Sequence, residues 1–175
     1  MPSSYTIEPS GITYVTDRTL ADVERWKTLR SKGWWEMSIP EKSEWNGNIT
    51  PPPVPSAAKG MYTYKDLNRV ESAVQFLASK YAERGYDVSD IVTKTDWYFS
   101  DRFTIVDAER YLGNISKLRD LSAVYPDTPQ APKVTDVFNF EVANNIEKIL
   151  RDVESLLNNI SSSQFYSGDL FAGEV

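Results

Sequence analysis

The sequence predicts an all-α protein in which an N-terminal helical hairpin is joined by a proline-rich linker to a three-helix bundle. Apolar residues recur at intervals of three and four over several long segments, which is the spacing of an amphipathic helix. Helix-capping signals precede these segments. With 175 residues and no cysteine, the chain is expected to bury a core without the help of disulfides.

The chain is expected to open with an extended arm over residues 1–16 and to continue as a helical hairpin over residues 17–46. The first helix of the hairpin begins at a capping-box-like signal, with Thr19 as the N-cap and Asp22 where Glu or Gln is more usual. Apolar residues then follow at helical spacing until Gly33, which favours the end of a helix.

A second capping box and a linker complete the N-terminal part. Ser38 and Glu41 have the spacing of a capping box and predict a short helix that ends near Trp45. Residues 47–60 contain four prolines with flanking Gly and Ser, a composition typical of an extended, semi-rigid spacer. A polyproline ligand for another domain is the alternative interpretation, and the spacer is favoured over it.

An imperfect internal repeat opens three helices in the predicted bundle, residues 61–160. Each copy has an aromatic residue, then Thr or Asn, then a large apolar residue, and an acid within the first turn. The copies begin at Tyr62, Phe103 and Phe138. The second residue of each copy is expected to be the N-cap, and the aromatic residue before it to pack on the fourth helical position. The three predicted N-caps are Thr63, Thr104 and Asn139.

The apolar stripes of these helices are wide enough to face a shared core, which three antiparallel helices would enclose. The longest stripe runs from Val142 to Ile160. Both connections between the helices are long for a simple bundle. The connection over residues 84–102 has room for a short strand or hairpin, whereas residues 124–137 carry three prolines and are expected to be irregular.

The last predicted segment, residues 161–175, is an apolar C-terminal tail. Four large apolar residues lie in a region where solvated polar residues are usual, and leaving them in water would create an adhesive patch. These residues are Phe165, Tyr166, Leu170 and Phe171. The tail either folds back onto the bundle or docks on a neighbouring subunit as an added strand, and the second interpretation is favoured.

Composition argues against several classes of function. The chain has no histidine, which is the commonest general base and metal ligand. Its net charge of −6 and pI of about 4.8 provide no basic footprint for nucleic acid. No glycine-rich phosphate loop occurs, and nearly all acids fall in first helical turns or on polar helix faces. The sequence therefore predicts no catalytic, cofactor-binding or metal-binding residues and a role in binding other proteins.

Two groups of aromatic residues are candidates for binding. Trp34, Trp35 and Trp45 are too many for a two-helix hairpin to bury alone, so they pack on the bundle, across the linker or on a partner. Residues 97–99 are contiguous aromatics that either form a stacking platform for a sugar or base, or plug the end of the bundle. The plug is favoured, because a long connection must bury something to stay ordered. The predicted partner interface comprises the three hairpin tryptophans and the four apolar residues of the C-terminal tail.

Several segments resemble minor structural proteins of tailed phages and prophages of Gram-positive bacteria. Residues 17–25 (DRTLADVER), 32–34 (KGW) and 41–45 (EKSEW) resemble a helical segment of those proteins. Residues 62–71 (YTYKDLNRVE) are similar to the helix that follows it, and residues 166–174 (YSGDLFAGE) to their ending. The ordered combination of these segments is more specific than any one of them.

This resemblance implies a structural component of the phage tail or baseplate, a helical scaffold that docks into an assembly. The implied partners are other tail or baseplate proteins, with a second copy of the chain as a further candidate. Neither nucleic-acid binding nor membrane insertion is expected, because the chain is acidic and has no apolar run near the roughly 18 residues that a membrane span requires. The implied location is the virion, after synthesis in the bacterial cytoplasm. A carbohydrate- or receptor-binding module that uses Trp97 and Tyr98 is the second interpretation, and an enzyme that works through carboxylates is the third.

Overall fold

The computed structural model describes residues 11–49 and 57–168, and for residues 161–168 it describes the backbone alone. Within these residues the protein is all-helical, with five α-helices, one 3-10 turn and no strand, so the predicted fold class is confirmed. The α-helices are α1 (Leu20–Lys32), α2 (Ile39–Asn46), α3 (Tyr64–Ala82), α4 (Ile105–Asp120) and α5 (Phe140–Gly168). The 3-10 turn, Trp34–Glu36, lies between α1 and α2.

Each α-helix begins at the capping residue that the sequence predicts. Capping boxes are formed at Thr19, Ser38, Thr63 and Thr104, where the side chain and the acid three residues on exchange hydrogen bonds with backbone N–H groups. At α5 the Asn139 Oδ1 accepts a hydrogen bond of 2.9 Å from the backbone N–H of Val142. These bonds satisfy N–H groups that have no partner inside a helix, which is why the chain turns helical at these residues.

Helices α3 and α4 run parallel to each other, so the expected antiparallel bundle is wrong. Near the start of α3, the hydroxyl of Tyr62 lies 2.5 Å from that of Tyr111 in the second turn of α4. Near the other end, the hydroxyl of Tyr81 is hydrogen-bonded to that of Ser122, just past the end of α4. Contacts that advance along both helices in the same direction define a parallel pair.

Helix α5 is parallel to α3 as well. Arg69 in the second turn of α3 pairs with Glu147 in the second turn of α5. Just beyond the end of α3, an Arg84 Nη atom lies 3.4 Å from the carbonyl oxygen of Leu157. Each of α3, α4 and α5 contacts the other two. The long connections follow directly from this arrangement, because the chain must return along the whole bundle before it starts the next helix.

The first return connection contains no strand, so the short strand or hairpin considered for residues 84–102 does not form. Its backbone groups bond to helix side chains instead. The N–H of Lys94 donates to Glu71 at 2.8 Å, and the N–H of Trp97 donates to Asn68 at 2.7 Å. The carbonyl of Val92 accepts from side chains of α4. An extended segment that has no neighbouring strand satisfies its backbone this way.

The core of the bundle lies between its three helices and follows the predicted apolar stripes. Seven large aliphatic side chains of this core are completely buried, namely Leu77, Ile115, Leu118, Ile146, Ile149, Leu150 and Val153. Among the described side chains of α5, which end at residue 160, Leu157 is buried whereas Ile160 is exposed. The stripe predicted as far as Ile160 therefore leaves the core about one turn earlier.

The residues before α1, 11–19, lie against the bundle. From here on the arm means this segment, which comprises the described part of the predicted arm and residues 17–19 of the predicted hairpin. Ile12 and Tyr14 pack against the core of the bundle. The Tyr14 hydroxyl donates to Glu154 at 2.6 Å, and the N–H of Val15 donates to Glu147 at 2.6 Å. Residues 11–19 have no regular secondary structure, and α5 holds them in place through these bonds.

The helical hairpin has a small core of its own beside the bundle. Both of its α-helices end at glycines with positive φ, 78° at Gly33 and 79° at Gly47. Residues 50–56 of the predicted linker lie outside the described residues. At the end of the linker, a Cβ on Gly60 would lie 2.0 Å from the carbonyl oxygen of Asp22. Only glycine therefore allows the chain to pass this close to the start of α1.

Helix α5 continues to Gly168, so the predicted boundary between bundle and tail at residue 160 is too early. Residues 161–163, directly after the predicted boundary, are three serines. Serine is only a mildly poor helix former, unlike glycine or proline, and a long helix tolerates it. Residues 169–175 of the predicted tail lie outside the described residues.

Candidate functional site

A buried network of charges attaches the arm to the bundle. Arg18 reaches between the helices, where its Nη1 donates to Glu147 at 2.8 Å and its Nη2 donates to Asp66 at 2.9 Å. Arg69 pairs with both of these acids. The side chains of Arg18 and Glu147 are only 3% and 0% exposed. Ions this deeply buried require such pairing. The network therefore holds the arm on the bundle, and its charged groups are already occupied by one another.

A second buried acid attaches the first return connection to the bundle. Glu71 of α3 accepts two hydrogen bonds of 2.6 Å from the guanidinium of Arg110 in α4. It also accepts one from the indole N–H of Trp97 at 3.1 Å and one from the backbone N–H of Lys94 at 2.8 Å. Four donors share its two oxygens, so Glu71 serves as a structural anion.

Glu147 and Glu71 do not belong to a metal-binding group of acidic side chains. Across residues 11–49 and 57–168, no group of three or more acidic side chains is placed to hold a metal ion. In the same residues, no helix has the length and apolar character to cross a membrane.

The aromatic residues of the internal repeat meet at one end of the bundle. The rings of Tyr62 and Phe138 pack edge to face with centroids 5.0 Å apart, and those of Phe103 and Tyr111 at 5.8 Å. Burial raises the pKa of both tyrosine hydroxyls above the ordinary value, so they stay protonated and share a hydrogen bond. The repeat thus marks three helix starts that a parallel bundle brings together.

This end of the bundle also exposes apolar side chains that are not among the binding residues predicted from the sequence. Ile105 and Val106 in the first turn of α4, and Val137 just before α5, are largely exposed. A cavity of about 350 Å³ at the same end of the bundle is lined mainly by apolar residues of the helix starts, among them Tyr62 and Leu67. In the sequence, this surface is indicated by apolar residues that lie at the starts of helices but outside the buried stripe.

Of the contiguous aromatics, residues 97–99, one is buried as a plug of the bundle and two are exposed, as a stacking platform requires. Trp97 is 4% exposed and, through its bond to Glu71, acts as a plug. Tyr98 and Phe99 are exposed, and their rings lie 4.5 Å apart. They border a groove of about 530 Å³ that also includes Tyr64. An aromatic groove with exposed ring faces can stack on a flat ligand.

The three hairpin tryptophans also have different environments. Trp34 and Trp45 are buried in the hairpin's own core with Leu29 and Met37, so they present little surface to a partner. Trp35 is 81% exposed. The hairpin, which also contains Trp26, thus buries Trp34 and Trp45 in its own core and leaves Trp35 in solvent.

The remaining residues of the predicted interface are in the C-terminal region. Phe165 and Tyr166 lie within α5, but their side chains are outside the described part of the chain. Leu170 and Phe171 lie outside it entirely. Comparison of the chain with family models, curated proteins and solved structures finds no match.

Proposed function

We propose that this protein is a non-enzymatic structural component of a phage tail or baseplate, and that it acts as a protein–protein docking scaffold. The observation that carries the proposal is Trp35, a large aromatic side chain left in solvent on a hairpin that buries its two neighbouring tryptophans. Tryptophan is enriched among the residues that dominate binding at protein interfaces. The resemblance to minor structural proteins of tailed phages points to the phage tail or baseplate as the assembly in which such a contact is made.

The construction of the molecule supports this proposal. Its buried acids hold the arm and the first return connection on the bundle by ion pairs and hydrogen bonds. Exposed apolar residues lie on the hairpin and at the bundle end where the helices start. A preformed framework that presents apolar side chains binds partners with little loss of conformational entropy.

Trp35→Ala is the first test of the docking role. We expect this variant to bind partially purified tail or baseplate assemblies at least ~30-fold more weakly, the loss that corresponds to an interface residue worth about 2 kcal/mol. Its melting temperature should be unchanged, because the removed side chain is largely in solvent. Val92→Ala is the matched control, since it removes another exposed apolar side chain. Undiminished binding by Trp35→Ala would rule out this contact.

The second candidate function is a carbohydrate- or receptor-binding module. The observation that favours it is the groove bordered by the exposed rings of Tyr98 and Phe99. A glycan array separates the two functions. The docking role predicts no glycan retained above background, whereas retention that disappears in Tyr98→Ala would establish the carbohydrate-binding role instead.

A further inference from the structure

The two ends of the bundle present different surfaces, because α3, α4 and α5 run parallel. The end where these helices start contains the cavity of about 350 Å³, called here the helix-start cavity, whose lining is mainly apolar. Phe103 and Phe138 belong to this lining and are themselves exposed. The cavity is therefore open to solvent, and an apolar side chain can enter it without any movement of the helices.

The opposite end of the bundle carries the projecting end of α5. Arg84, just beyond the end of α3, lies beside Leu157 of α5. Helix α4 ends at the same level, since Ser122 just beyond it is hydrogen-bonded to Tyr81 near the end of α3. From Leu157, α5 continues to Gly168, roughly 16 Å further at ~1.5 Å per residue. The last turns of α5 thus extend past the ends of its two neighbours.

Leu170 and Phe171 follow this projecting end within three residues. Three residues of fully extended chain span at most ~11 Å, so both residues lie within that distance of Gly168. Val142, which lines the helix-start cavity, is in the first turn of α5, about 39 Å from Gly168 along the helix. One copy of the chain therefore cannot place Leu170 or Phe171 in its own cavity, whereas a second copy can receive them.

The segment around Leu170 and Phe171 complements the cavity in polarity and in charge. The apolar lining favours the burial of these two side chains, and an acid, Asp169, directly precedes them. Lys133 lines the cavity and is exposed, and none of the ion pairs of the described residues includes it. The other charged lining residue, Asp136, already accepts a hydrogen bond of 2.8 Å from the backbone N–H of Lys133. Lys133 is thus available to an incoming carboxylate.

We propose that Leu170 and Phe171 of one copy insert into the helix-start cavity of a second copy, with Asp169 pairing with Lys133. The described residues contain no strand that a neighbour could extend, so side chains make this contact and not the added strand expected from the sequence. Because the two surfaces lie at opposite ends, the contact is either repeated from copy to copy or made twice in an antiparallel pair. The inference rests on the proposed docking function and gives it a second copy of the chain as a partner.

Sedimentation equilibrium of the full-length protein tests this contact. We expect the wild type to associate as its concentration rises, and Phe171→Ala to raise the dissociation constant at least ~10-fold, the loss of an aromatic anchor at an interface. Lys133→Glu should weaken association several-fold at an unchanged melting temperature, because the side chain is exposed. Phe99→Ala is the matched control, since it removes another exposed phenylalanine and should associate like the wild type.

A mixture of two variants shows which surfaces meet. Phe171→Ala keeps the cavity but lacks the inserting ring, whereas Ala108→Trp keeps the ring but fills the cavity that Ala108 lines. Each variant alone should be monomeric at concentrations where the wild type associates, and the equimolar mixture should form a complex with one copy of each. If Ala108→Trp lowers the melting temperature, Lys133→Glu replaces it in the mixture.

Three results would overturn the inference. The first is a wild type that stays monomeric up to its solubility limit. The second is a Phe171→Ala variant that associates like the wild type. The third is a mixture that forms no complex, which would mean that the segment contacts a different surface or a different protein. No tail or baseplate protein takes part in these measurements, whereas the Trp35→Ala experiment depends on them, so failure of the self-association and failure of the docking role are distinguishable.

Discussion

Glu147→Gln should lower the free energy of unfolding by about 3–5 kcal/mol, the cost of breaking a buried ion pair by removing one partner. Glutamine keeps the size of the side chain but removes the charge that Arg18 and Arg69 face. Arg18 is buried on all sides, so its charge would be left with Asp66 as its remaining partner. Urea unfolding followed by circular dichroism measures the change.

Glu141→Gln is the matched control for this variant. Glu141 lies in the first turn of the same helix but is exposed, so its replacement should change stability by no more than about 0.5 kcal/mol. A loss below ~1 kcal/mol for Glu147→Gln would contradict the role of Glu147 as the anion that holds the arm on the bundle. The arm would then have to be held mainly by the apolar contacts of Ile12 and Tyr14.

Glu71→Gln should cost about 3 kcal/mol for the same reason, since it leaves Arg110 facing an uncharged partner in a partly buried position. The amide of glutamine also offers one acceptor oxygen where the carboxylate offers two. The backbone N–H of Lys94 and the indole N–H of Trp97, which bond to different oxygens of Glu71, therefore cannot both keep their bonds. We therefore expect the first return connection to open locally before the bundle unfolds.

Limited proteolysis detects that opening. Trypsin should cleave after Lys94 in Glu71→Gln under conditions where the wild-type protein stays intact, and Glu109→Gln, on the exposed face of α4, should behave like the wild type. Equal cleavage in Glu71→Gln and the wild type would show that Glu71 does not hold this segment.

The parts of this fold that depend on local chemistry are readable from the sequence. A capping box needs two residues three apart, so Thr63 with Asp66 and Thr104 with Asp107 locate their helices without any knowledge of the tertiary structure. The direction in which helices pack has no such local signal. The length of the connections was the available indication, since parallel helices need long returns, whereas antiparallel helices are joined by short loops.

The buried acids were missed because their partners are distant in sequence. Arg18 and Glu147 are 129 positions apart. A signal was nevertheless present. Glu147 falls between Ala143 and Leu150 on the widened apolar face of α5, and Glu71 lies on the apolar face of α3 next to Val70. An acid on a core-facing stripe is unusual and indicates a buried cation or donor opposite it.

The candidate surfaces were harder to predict, because the sequence does not distinguish a buried tryptophan from an exposed one. Trp34 and Trp35 are adjacent, yet the 3-10 turn that contains both directs the first into the hairpin core and the second into solvent.

Mass spectrometry of purified phage particles tests the central proposal most directly. Particles would be induced from the bacterium that carries the gene, banded by density and washed in high salt to remove adhering host proteins. The docking role predicts that the chain stays with the particles at a fixed ratio to the major tail protein, and that Trp35→Ala reduces this ratio. Particles that assemble and infect normally without the chain, while it stays in the lysate, would contradict the proposed function.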